Sequence, residues 1–186
     1  MVFDEALNQI ENKYPELLPD ISIMRLPAND LLLNTLLAHA HVALQLSTRE
    51  GFEVKVSEAL LAGVPVIATR AGGIPIQVKD KEDAFLVEPG DYQAVAKHLM
   101  DLFSDQDLWR KMSHAAKTGV SDEVSTVGNA LCWYYLAAKL TTTELGADRK
   151  LVGNRRWIND LAREEAGFPY REGENRLPRS FTEVKA

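Results

Sequence analysis

A chain of 186 residues, 46% hydrophobic and 26% charged, has room for one compact domain with a short extension and falls outside the disordered and collagen-like classes. Its formal net charge of −6 argues against nucleic-acid or membrane-surface partners, both of which reward basic patches. A single cysteine, Cys132, excludes an internal disulfide and points to a reducing, cytoplasmic compartment. The acidic opening stretch lacks the basic start and apolar run of a signal peptide, and no segment approaches the ~18 apolar residues of a membrane span. No Cys/His cluster has zinc spacing, and the scattered His39, His41, His98 and His114 read as structural or exposed, so neither a metal nor a cofactor is expected. Residues 1–150 carry 14 Lys+Arg against 21 Asp+Glu, whereas 151–186 carry 7 against 6, which places a boundary near 150 between a body and a C-terminal helix and tail.

Residues 3–13 predict a helix, with Phe3, Leu7 and Ile10 on one face and Pro15 as its stop. ISIMRL (21–26) predicts a strand ended by Pro27. Asn29 or Asp30 caps a helix over LLLNTLLAHA, and VALQL (42–46) predicts a short, mostly buried strand. After the loop STREGF, VKVSEALLAG (54–63) is helical and closes on Gly63. VPVIAT (64–69) and AFLVE (84–88) predict further strands, separated by the glycine-rich loop RAGGIP (70–75). Asp91 caps the next helix, and residues 105–119 and 123–140 give two more. Short strands alternating with helices define a doubly wound α/β fold with a parallel sheet and extra C-terminal helices. Ligands bind such sheets at the carboxyl ends of strands, which singles out the loops 47–53 and 70–75.

Within residues 47–75, Glu50 lies in the loop after a strand and Glu58 lies a little over one turn into the helix that follows. The amides of Gly51, Phe52 and Glu53 fall at the start of that helix, where unpaired N–H groups and the helix dipole favour phosphate. Gly51 lets a ligand approach the backbone, and carboxylates accept sugar or ribose hydroxyls. Phosphate beside polyol-binding carboxylates is the chemistry of a sugar phosphate or nucleotide sugar. Taken singly, Glu50 reads as a solvated loop residue, Glu58 as a surface helix residue, Phe52 as a core plug, and Gly72-Gly73 as a turn.

The joint pattern Glu50-Gly51-Phe52, Glu58-Ala59-Leu60, Gly63-Val64-Pro65-Val66-Ile67-Ala68 and Gly72-Gly73-Ile74-Pro75 resembles the signature of the retaining glycosyltransferases that include sucrose and glycogen synthases. The stretch LPANDLLLNTLLAHAHVALQLSTREGF, with VGNRRWINDLAREEAGFPY and RLPRS, is similar to the fungal trehalose phosphorylase or trehalose synthase type, so the resemblance covers nearly the whole chain. It departs at Glu53, where the family places Gly, and at Val54-Lys55, where it places Leu-Pro.

That resemblance implies the Rossmann-like C-terminal domain of a GT-B fold, partial over residues 1–150. It implies α-glucose transfer with retention, between a sugar phosphate or nucleotide sugar and glucose, forming or cleaving trehalose. Glu50 would serve as the catalytic carboxylate that holds the transferred sugar, without acting as a nucleophile. Gly51, Phe52, Glu53, Glu58, Gly72 and Gly73 would bind the donor. The upstream basic residues and the acceptor domain of the family have no counterpart here, so the chain alone is expected to be inactive and to need the missing N-terminal domain. An alternative from another class is a catalytically inactive sugar-phosphate-binding module or truncated gene product.

Overall fold

The apolar runs near residues 43, 66 and 85 fold as β1 (Ala43–Gln45), β2 (Val66–Thr69) and β3 (Ala84–Val87) in a computed structural model that describes residues 2–142 and 157–177. They form a parallel sheet in the order β1-β2-β3, with Leu44 opposite Ile67 and Ile67 opposite Phe85. Parallel neighbours require crossovers, and the helix α3 (Val54–Leu61) supplies the one between β1 and β2. Helices α4 (Tyr92–Ser104) and α5 (Gln106–Gly119) follow β3.

Every residue of β2 is buried, as expected for a strand covered on both faces. Val66 and Ala68 pack with Ala84 against Val56, Ala59 and Leu60 of α3. Ile67, on the opposite face, joins Phe85, Val87, Leu102 of α4 and Met112 of α5. Two apolar layers therefore sandwich the sheet, and burying each Val, Leu or Ile side chain stabilises the fold by about 1.5–3 kcal/mol. His98 stacks flat on Phe85 at 4.0 Å and His41 on Trp109 at 4.8 Å, so both rings serve the packing.

The termini of these helices follow their capping residues. Asp91 accepts from the Ala94 N–H at 3.0 Å, and Asp105 accepts from Asp107 and Leu108. Gly63 adopts φ +77° just past α3, the left-handed conformation anticipated at that position. Helix α6 (Thr126–Thr142) packs against α7 (Ile158–Glu165), where Asn159 donates to the Cys132 Sγ at 3.1 Å. The Arg163 guanidinium of α7 lies 3.9 Å from the Tyr170 ring centroid and donates to Asp122 at 2.5 Å and Glu174 at 2.8 Å.

The chain divides into two compact units, Met1–Thr35 and Leu36–Ala186. The first carries α1 (Val2–Lys13), a 3-10 turn over Pro15–Asp20 and the start of α2 (Asp30–His39), which Asn29 caps by accepting from the Leu32 N–H at 3.1 Å. The strand expected at 21–26 does not form, and residues 21–27 run without regular structure. Its alternating pattern suits a pleat, but a strand exists only where another supplies its hydrogen bonds. No fourth strand joins the sheet among the described residues, and Ile21, Met24 and Leu26 stay exposed. The boundary expected near residue 150, and the tail from 178 onward, lie outside the described residues.

Candidate functional site

Two loops leave the carboxyl ends of adjacent strands and meet. The loop after β1 carries Glu50, Gly51, Phe52 and Glu53, and the loop after β2 carries Gly72 and Gly73. Their backbones touch: the Gly73 N–H donates to the Gly51 carbonyl at 2.6 Å. A Cβ on Gly72, whose φ is +53°, would lie 2.0 Å from the Glu50 carbonyl oxygen and 2.6 Å from that of Gly51. One on Gly73 would lie 3.0 Å from the Gly51 oxygen and the Phe52 Cα. Both glycines are thus required by the contact between the two loops. Gly51 differs, since a Cβ there would meet no atom within 4 Å.

The Glu50 carboxylate is held in place. Gln45, at the end of β1, reaches with Nε2 to Ser47 Oγ at 2.8 Å, Glu50 Oε1 at 3.2 Å and Glu53 Oε2 at 3.5 Å. Thr69, at the end of β2, anchors the same loop by donating to the Ser47 carbonyl at 2.5 Å. The Ser47 hydroxyl is the main cause holding the Glu50 carboxyl below its ordinary value. Partial burial opposes it, and the Glu53 side chain, the Lys55 charge and Gln45 lower it further. Glu50 is therefore an anionic acceptor at neutral pH, oriented from the sheet side by uncharged donors.

Helix α3 starts at Val54 with Glu53 as its cap residue, so Gly51 and Phe52 lie in the loop just before the helix rather than in its first turn. None of the N–H groups of Gly51, Phe52 and Glu53 has an acceptor among the described residues. Three successive donors in this loop are therefore left free. Glu53 adopts φ 61° and ψ 75°, a left-handed conformation that favours glycine. Its carboxylate pairs with the exposed Lys55 at 3.2 Å. Glu58 lies on α3, half-buried, beside the packed positions Ser57 and Ala59.

Sequence reasoning missed Gln45, Ser47, Ser57, Thr69 and Gln77. Their signal was present: Gln45 is a polar residue inside an apolar parallel strand, and Ser57 lies on the packed face of α3, only 2% exposed. Ser57 donates to Gln77 Oε1 at 2.6 Å, while Gln77 Nε2 donates to the Phe52 carbonyl and, at 3.3 Å, to that of Gly73. A further cavity of about 270 Å³ opens at the same end of the sheet, between Leu46, Thr69, Val87, Glu88 and the start of α4, and no sequence-predicted site residue lines it. Among the described residues, no helix is long and apolar enough to cross a membrane, and no three His, Cys, Asp or Glu side chains converge to hold a metal ion.

A parallel sheet covered on both faces, with its candidate site at the strand carboxyl ends, defines a doubly wound α/β class, and its structural neighbours are C-terminal domains of the GT-B glycosyltransferase architecture. Residues 18–119 match the family model described as Glycosyl transferases group 1, and the chain belongs to that family. It is 55% identical to trehalose phosphorylase from Grifola frondosa over 185 residues and 53% identical to that from Pleurotus pulmonarius over 186. These alignments take in 100% of this chain but only 25% and 24% of the relatives, so the chain spans about a quarter of their length. Among solved structures, sucrose-phosphate synthase from Thermosynechococcus elongatus superposes with a TM-score of 0.61 at 25% identity, over 73% of this chain and 34% of that one. The C-terminal domain of a Francisella tularensis group 1 glycosyl transferase gives 0.54 at 28% identity, over 61% and 59% of the two chains. Anabaena HepE, solved with UDP and glucose, gives 0.50 at 27% identity, over 58% and 29%.

Proposed function

We propose that this chain is the donor-site portion of a retaining α-glucosyltransferase that acts on trehalose, converting trehalose and phosphate reversibly to glucose and α-glucose 1-phosphate. Residues 1–150 form its donor-binding part, and 151–186 its C-terminal helix and tail. The observation that carries the reading is three free loop N–H groups beside a carboxylate that its neighbours hold ionised. The 55% identity to a trehalose phosphorylase favours phosphate and trehalose as the substrates. The likeness to HepE, whose solved complex contains UDP and glucose, supports a site for a phosphorylated donor and keeps synthesis from a nucleotide-glucose as the variant of the same reaction.

In this scheme the C1–O bond of one trehalose glucose breaks, a phosphate oxygen bonds to C1 on the same face, and the proton passes to the departing glucose oxygen. Charge on phosphate grows or shrinks through an oxocarbenium-like transition state, so donors fixed in advance stabilise it most. The amides of Gly51, Phe52 and Glu53 bind phosphate. Glu50 accepts hydroxyls of the transferred glucose. Glu58 holds a ribose for a nucleotide donor, or orders the phosphate site for glucose 1-phosphate. Gly72 and Gly73 bring the second loop against the first and up to the donor. The acceptor pocket and additional cationic phosphate ligands come from the remaining length that the relatives possess.

The test is an assay of the full-length polypeptide containing this chain, with trehalose and phosphate, reading glucose 1-phosphate release, and in parallel with UDP-glucose and glucose, reading trehalose. Turnover in either direction supports the proposal, and the pair of assays identifies the donor. Tight binding of glucose 1-phosphate with no turnover by the full-length protein would assign the chain instead to a binding module.

A further inference from the structure

We propose that Gln77 is a positioning residue for the donor phosphate: its buried carboxamide clasps the peptide between Phe52 and Glu53 and so turns the Glu53 N–H outward, where a phosphate can meet it. The inference rests on the donor-site reading above. Gln77 follows the 3-10 turn Ile74–Ile76, directly after the glycine loop, and is only 9% exposed. Its side chain is fully used, with Oε1 accepting from buried Ser57 of α3 and Nε2 donating to the carbonyls of Phe52 and Gly73. One amide thereby joins three segments: both loops of the site and the helix between them. The network also fixes which way the amide faces, because a flipped group would set its oxygen against two carbonyl oxygens.

A trans peptide is planar, and its C=O and the following N–H point in opposite directions. Drawing the Phe52 carbonyl inward to Gln77 therefore turns the Glu53 N–H outward, and that N–H has no acceptor among the described residues. The neighbouring peptide is held by the same logic, since the Gly51 carbonyl accepts from Gly73 and the Phe52 N–H faces away from it. Glu53 sits at φ 61°, a conformation that a non-glycine residue keeps only when its surroundings impose it. The clasp at Phe52 supplies that constraint. A glutamate at position 77 would place oxygen against the two carbonyls, and an apolar residue would leave both carbonyls and the Ser57 hydroxyl without a partner, so the role demands a carboxamide.

The test uses the ¹⁵N-labelled chain, with amide spectra recorded through titrations with inorganic phosphate and with glucose 1-phosphate. In the wild type, the Glu53 amide is expected to move on binding. Gln77→Met keeps length and apolar volume but deletes both donors. Its affinity is expected to fall at least about 10-fold and its Glu53 response to vanish, while the amides of Ile67 and Phe85 in the sheet stay where they are. Where methionine disturbs those sheet amides, Gln77→Asn, which keeps the carboxamide but falls one methylene short of Phe52, decides in the same way. Binding within twofold of wild type with an unchanged Glu53 response overturns the inference. Full-length protein containing this chain that binds neither ligand by calorimetric titration overturns the donor-site reading beneath it, and the inference with it.

Discussion

Replacing Gly72 by alanine places a methyl carbon 2.0 Å from the Glu50 carbonyl oxygen, where ordinary contact begins at 3.4 Å. The other near atoms, the Glu50 carbonyl carbon and the Gly51 oxygen at 2.6 Å, are also backbone, so no side-chain rotation relieves the overlap. The loops must separate by about 1.4 Å, the difference between those two distances. Separation breaks the 2.6 Å hydrogen bond from Gly73 to Gly51, a loss of about 1 kcal/mol. Alanine at φ +53° adds about 1–2 kcal/mol of backbone strain. The sum, with residual overlap, is about 2–4 kcal/mol, and the melting temperature should fall by roughly 5–15 °C for a chain of this size. Thermal unfolding followed by circular dichroism measures it. Gly51→Ala is the paired control: open space surrounds that position, so stability should stay within about 0.5 kcal/mol, while affinity for glucose 1-phosphate falls because the methyl stands where a ligand would approach. A Gly72→Ala protein as stable as the wild type would refute the view that the two loops are built on one another.

Three further outcomes follow from the same structure. Glu53→Gly should raise stability by about 1 kcal/mol, by relieving the left-handed backbone, and should tighten phosphate binding by removing a negative charge; calorimetric titration and melting curves report both. Glu58→Gln in the full-length protein should raise KM for a nucleotide-glucose donor and spare glucose 1-phosphate if it holds a ribose, but damage both if it orders the phosphate site. Asp83, 2% exposed, accepts from the Lys79 N–H, and burial pushes its carboxyl up to about 6 from 3.8. Its folded value lies above its unfolded one, so its contribution is fully present below pH 3.8 and is lost as pH rises through about 6. Asp83→Asn should accordingly match the wild type near pH 4 and exceed its stability by up to about 3 kcal/mol at pH 7, as denaturant unfolding at the two pH values will show.

The sheet was legible in the sequence because β1, β2 and β3 are apolar runs bounded by turn residues; β2 and β3 are buried as such runs suggest, whereas β1, expected to be mostly buried, is half-exposed at the edge of the sheet, with Leu44 47% exposed. The helices were legible through Asp91, Asn29 and Gly63, whose side chains or backbone freedom act within a few residues of themselves. ISIMRL misled because alternation shows that a strand is permitted, whereas pairing depends on chain far away. Glu50 and the following amides were legible as a motif, yet Gln45 and Gln77 were not. A glutamine in a short apolar segment looks like an interruption until the fold brings acceptors around it, a hydroxyl and two carboxylates at Gln45 and two carbonyls at Gln77. Nor could the sequence distinguish Gly51, where an added Cβ meets open space, from Gly72, where it would strike two backbone oxygens.

The central claim is that Glu50 is a held, ionised acceptor for the sugar being transferred, and Glu50→Gln tests it most directly, since the amide keeps size and shape but loses the charge. In the full-length protein, with trehalose and phosphate as substrates, kcat/KM should fall by roughly 30- to 1000-fold, about 2–4 kcal/mol of transition-state stabilisation, with the melting temperature nearly unchanged. A kcat/KM within twofold of wild type would contradict the account.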